Sequence, residues 1–95
     1  MDKGEQRMEK PLIKGKILHK LARYGKFKAS HTSIDNIQKG FPKHMRGEIK
    51  NIVNEMMRED LLIAKPTKYG KEISINLNNR EKVFELIKMF LRFSK

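Results

Sequence analysis

Apolar residues recur at helical spacing through Ile13, Ile17, Leu21 and Tyr24, with Leu18 and Ala22 beside them. They predict an amphipathic helix that opens near Pro11 and ends at Gly25. Phe27-Lys28-Ala29 alternates briefly and suits a small edge strand. Thr32-Ser33-Ile34-Asp35 reads as a capping box, in which the threonine oxygen accepts an orphan N–H and the acidic residue reaches back. The helix it opens is short, carrying Ile34 and Ile37 before Gly40 stops it, and Phe41-Pro42 makes a tight connection onward. Met45, Ile49, Ile52, Val53, Met56 and Met57 then share one stripe and predict a long third helix from roughly Lys43 to Asp60. Leu61-Leu62-Ile63-Ala64 reads as a strand, Pro66-Thr67-Lys68-Tyr69-Gly70 as a turn, and Glu72-Ile73-Ser74-Ile75-Asn76-Leu77 as the returning strand. Asn78, followed by Glu81, is placed to cap a last helix running to Phe93. Its main stripe is Val83, Leu86, Ile87 and Phe90; Phe84 and Leu91 widen it, while Met89 and Phe93 fall outside.

The order helix, short strand, short helix, long helix, hairpin, helix predicts an α+β fold with one domain over residues 10–93, behind a flexible leader at 1–9. A pair of helices joined by a short turn, the second leading straight into a hairpin, resembles the winged helix-turn-helix superfamily. The likeness covers about residues 11–92. Gly40-Phe41-Pro42-Lys43-His44 ahead of the long helix and the hairpin Leu62–Gly70 make it most similar to small stand-alone archaeal winged-helix proteins. The resemblance implies a three-helix core, a hairpin wing and an additional C-terminal helix. It also implies a long helix that enters the DNA major groove with its N-terminal part toward the base edges, and a use in transcription regulation.

Charge narrows the partner. Lys and Arg total 22 against 11 Asp and Glu, a formal +11. Self-repulsion of that size destabilises a small fold, so a polyanion is the expected partner. Membrane surfaces are polyanions too, but no apolar run reaches the roughly 20 residues needed to span a bilayer, and the mixed-charge N-terminus is no signal peptide. The absence of cysteine removes disulfides and thiolate metal sites. A cytoplasmic protein without a membrane partner is expected.

The excess is unevenly spread. Residues 39–50 set Lys39, Lys43, Arg46 and Lys50 against Glu48 alone, whereas 51–60 set Glu55, Glu59 and Asp60 against Arg58. The long helix is therefore basic in its N-terminal half and acidic at its end. Rotation by about 100° per residue places Lys43, His44, Gly47, Lys50, Asn51, Asn54 and Arg58 opposite the apolar stripe. Long donors suit phosphates and guanine, and amides suit adenine. A mid-helix glycine costs about 1 kcal/mol relative to alanine, and close approach of the backbone to DNA would compensate at Gly47. Arg46, at the stripe's edge, either anchors a phosphate or packs its stem. Lys65, Lys68, Tyr69 and Lys71 at the wing suit phosphates or the minor groove; guarding a strand edge explains the lysines equally. Lys16, Lys20 and Arg23 share the first helix's polar side, as backbone grips or as a solvated face.

No residue set supports an enzyme or a cofactor. His19, His31 and His44 lack partners at metal-ligand spacing, and Ser30, Thr32 and Ser33 sit where a helix cap is needed. The expected partner is nucleic acid, duplex DNA first. Structured RNA or a ribonucleoprotein, and a protein partner docked on the wing or an apolar face, are the alternatives. The breadth of the last helix fits a homodimer through it, or a monomer whose first and last helices pack together.

Overall fold

Pro11 occupies the first turn of the first helix, where a missing N–H breaks no hydrogen bond. The computed structural model describes residues 9–27, 30–68 and 70–93; apart from Glu9, the expected leader lies outside them. Helix α1 spans Lys10–Arg23. Gly25 takes the left-handed conformation at φ 65°. Its N–H reaches Ala22 O at 3.0 Å and that of Lys26 reaches Leu21 O at 2.9 Å, so the last carbonyls of the helix are satisfied. Ile13, Ile17, Leu18 and Leu21 are buried, but Tyr24 is 63% exposed. It is the C-cap, where the backbone has already left the helix, so the stripe ends one turn earlier than its spacing suggests.

Of the expected edge strand at 27–29, Phe27 makes a parallel bridge to Ile75; Lys28 and Ala29 lie outside the described residues. One edge of the sheet is β1, Thr32–Ser33. Ser33, not Thr32, caps helix α2 (Ile34–Gln38), accepting the Asn36 N–H at 3.2 Å. An N-cap residue has extended backbone angles, here φ −78° and ψ 159°, so this serine pairs with the sheet and caps the helix at once. Thr32 Oγ1 accepts from the Asn36 side chain at 3.1 Å.

The long third helix divides into a 3-10 turn at Lys43–Met45 and helix α3 at Arg46–Arg58. Asp60 adopts φ 60° just past its end, and the Leu61 N–H returns to Met56 O at 2.9 Å. Strands β2 (Leu62–Thr67) and β3 (Gly70–Ile75) form an antiparallel hairpin longer than the sequence pattern indicates. Pro66 lies within β2, on the sheet edge where a missing N–H is tolerated. The sheet order is β1-β3-β2, with Thr32 opposite Ile73 and Leu62 opposite Ile75. A 3-10 turn at Leu77–Asn79 then leads into helix α4, Arg80–Phe93. Asn76 caps that 3-10 turn, its side chain accepting the Asn78 N–H at 3.0 Å. Asn78, expected as the cap of the helix, lies inside the turn.

The described residues thus make an α+β fold of four α-helices and a three-stranded antiparallel sheet. One core joins the buried face of α1 to Ile37, to Ile49, Ile52, Val53 and Met56 of α3, and to Leu62, Ile73 and Ile75 of the hairpin. Helix α4 closes it with Val83 and Ile87, lying along α1. A Cβ on buried Gly15 would stand 2.3 Å from Leu86 O and 2.7 Å from Phe90 Cβ, so the two backbones meet only because that side chain is absent. Among the described residues no helix is long and apolar enough to cross a membrane.

Candidate nucleic-acid interface

Burial of Ile49, Ile52, Val53 and Met56 fixes the rotation of α3, and the opposite arc follows from it. Lys43, His44, Arg46, Gly47, Lys50, Asn51 and Arg58 are all exposed, and Asn54 is half-buried. Nothing comes within 4 Å of the place a Gly47 Cβ would take. Gly47 also stands in the first turn of α3 and not in mid-helix, so its cost to the helix is smaller than its place in the sequence pattern implies. Arg46 directs its side chain to solvent, while its carbonyl accepts the side-chain N–H of buried Gln38 at 2.8 Å. That bond ties the end of α2 to the start of α3 and fixes the angle at which α3 leaves the turn.

The acids of α3 do not share this arc. Glu55 and Glu59 follow Glu48 by seven and eleven residues, which places the three together on one flank, about 80–120° from Gly47. There Glu55 and Glu59 meet α1. Lys14 Nζ donates to Glu55 Oε2 at 2.7 Å and to both oxygens of Glu59 at 2.9 and 3.0 Å, and Lys10 Nζ donates to Glu55 Oε1 at 3.1 Å. The Lys14 side chain is only 11% exposed. Burial works against its ammonium, but the hydrogen bonds and charges of Glu55 and Glu59 outweigh that and raise its pKa above the ordinary 10.5. Glu55 is held below its ordinary 4.5, first by the Lys14 hydrogen bond and then by that of Lys10. Carboxylates near a helix C-terminus oppose its dipole, and here two lysines from α1 offset that cost.

This clamp was not legible from α3 alone. The signal lay in two matched spacings, Lys10 with Lys14 and Glu55 with Glu59, each one helical turn apart. Nothing in the sequence told that those turns face each other. Gln38 was missed likewise, since a polar residue two positions before a stop glycine looks like surface.

The hairpin lysines are not brought to one face. Lys65 lies opposite Glu72, and Lys71 opposite Pro66. Neighbours along a strand alternate sides, so Lys65 and Lys71 occupy opposite faces, and Glu72 offsets the first. Lys68 is exposed in the turn, which Thr67 Oγ1 closes by donating to Gly70 O at 2.8 Å. Tyr69, expected at this tip, lies outside the described residues. On α1, Lys16 Nζ sits 4.7 Å from the centre of the Phe41 ring, and Lys20 Nζ is 2.7 Å from where a Gly40 Cβ would be. Cations of α1 therefore flank the same Gly40–Pro42 turn from which Lys43, His44 and Arg46 emerge. No family model, curated protein or solved structure matches the chain.

Proposed function

We propose that this protein is a winged helix-turn-helix domain that binds duplex DNA through the N-terminal half of α3, with the β2–β3 hairpin as its wing. The element order and the sheet order β1-β3-β2 support the architecture, with α2 and α3 as the helix-turn-helix and α4 as the additional helix. One observation carries the functional reading. Glu55 of α3 and Glu59 at its end are spent on Lys10 and Lys14 of α1, and Glu48 lies on their flank, so the arc of Lys43, Gly47, Lys50, Asn51 and Asn54 contains no acid. An exposed, acid-free helix face with lysines at its start and amides further along has the donors that groove phosphates and base edges require. The open space at Gly47 lets a groove wall approach the backbone. Lys68 at the wing tip grips phosphate. The role fits a regulator of transcription.

Affinity in this reading is dominated by counterion release, so it falls steeply with salt. The test is a titration of blunt duplex DNA and duplex RNA of equal length at matched salt, with the parent and with the variant K43E/K50E/K68E. The expected result is tighter binding of DNA, and loss of binding in the variant with an unchanged circular dichroism spectrum. Tighter binding of RNA, or full binding by the triple variant, would overturn it.

A further inference from the structure

The cations of α1 beyond Lys14 take no part in the clamp, and no residue of α3 lines the grooves beside them. Two grooves of about 410 Å³ each adjoin there. The first lies between α1, the Gly40–Phe41 turn and the end of α4, and is lined by Lys16, His19, Lys20 and Arg23 together with the rings of Phe41 and Phe90. The second lies between α1 and α2 and adds Lys26, Lys39 and Asn36. Lys20 and Tyr24 belong to both, so the grooves form one trough with Tyr24 at the junction. No carboxylate lines either groove among the described residues, and none pairs there with Lys20, Arg23, Lys26 or Lys39.

Tyr24 is the feature that solubility does not explain. A tyrosine 63% exposed leaves apolar area in water, and here it lies between cationic side chains on both sides. Within a duplex the bases are stacked on one another, so the face of such a ring finds no open base there. An unpaired strand offers both chemistries in alternation, phosphates for the lysines and open base faces for the ring. A trough that continues past one groove into the next also suits a chain better than a single small anion. We infer that this α1–α2 trough is a second nucleic-acid site, which takes an unpaired strand with a base stacked on Tyr24 and its phosphates on Lys20 and Arg23. The inference does not depend on α3 binding a duplex.

Tyrosine fluorescence isolates the site. The chain has two tyrosines and no tryptophan, so Y69F leaves Tyr24 as the single fluorophore. A short oligothymidylate added to Y69F at low salt is expected to quench that emission saturably, and K20E/R23E is expected to abolish the quench. By fluorescence anisotropy with the same labelled strand, Y24A should weaken binding about tenfold or more, the effect of one lost base–aromatic stack. Its affinity for a blunt duplex should stay within about twofold of the parent. Circular dichroism of Y24A should match the parent, since the ring is exposed. Unmoved Tyr24 emission, strand binding by Y24A as tight as the parent's, or an equal loss of duplex binding in Y24A would each overturn the second site. A parent that binds the strand in this way but not the duplex would sink the α3 reading and leave the trough standing.

Discussion

Two glycines in helices illustrate how the same residue type serves opposite ends. At Gly15 the space a methyl group needs is filled by the Leu86 carbonyl and Phe90 Cβ, atoms that cannot swing aside. G15A should therefore force α1 and α4 apart and destabilise the fold by about 1–3 kcal/mol, the usual cost of overpacking a core, read as a lower urea midpoint. At Gly47 the space is open and the residue is exposed. G47A should stabilise the free protein by up to about 1 kcal/mol through helix propensity while weakening duplex binding. A rise in both stability and affinity would remove close backbone approach from the account. Sequence reading found Gly47 but gave Gly15 no role, because a lysine on each side hides a buried glycine in a polar stretch.

At the scale of elements, the periodicities of α1, α3 and α4 were readable because tertiary packing buries the same stripes that the spacing defines. The joints were less so. Ser33 serves as strand residue and helix cap together, and a pattern that assigns each residue to one element misses such a double use. The 3-10 turn ahead of α4, which holds Asn78 and is capped by Asn76, is likewise too short for periodicity to register. The α1–α3 clamp makes a prediction about pH. Glu55 has a depressed pKa in the fold, so its contribution is complete above its ordinary 4.5 and is lost as pH falls through the lower folded value. Lys14 has a raised pKa, so its contribution is complete below 10.5 and is lost as pH rises through the higher folded value. Urea midpoints across pH should fall at both limbs, and E55Q should flatten the acid limb. An acid limb unchanged in E55Q would show that the ionised Glu55 carboxylate contributes nothing to stability.

Across the whole molecule the charge is arranged in opposition. The N-terminal half of α1 sets Lys10 and Lys14 against the acidic end of α3, while its C-terminal half lies with α2 and the Gly40–Pro42 turn. Cations of both helices, Lys16 and Lys20 of α1 and Arg46 of α3, with Lys43 ahead of it, therefore flank that turn. Composition showed the size of the excess and the sequence showed the reversal along α3. Which acids were already engaged depended on contacts between residues about 40 positions apart, beyond the reach of any local pattern. The same dependence on register separated Lys65 from Lys71, which the sequence placed in one cluster.

Amide chemical shifts of ¹⁵N-labelled protein, followed as blunt duplex DNA is added, test the reading most directly. The account predicts that the largest changes fall on residues 43–54, with Gly47 among them, and on the hairpin tip around Lys68. Changes confined to α4, or a silent α3 in a protein that still binds, would contradict it.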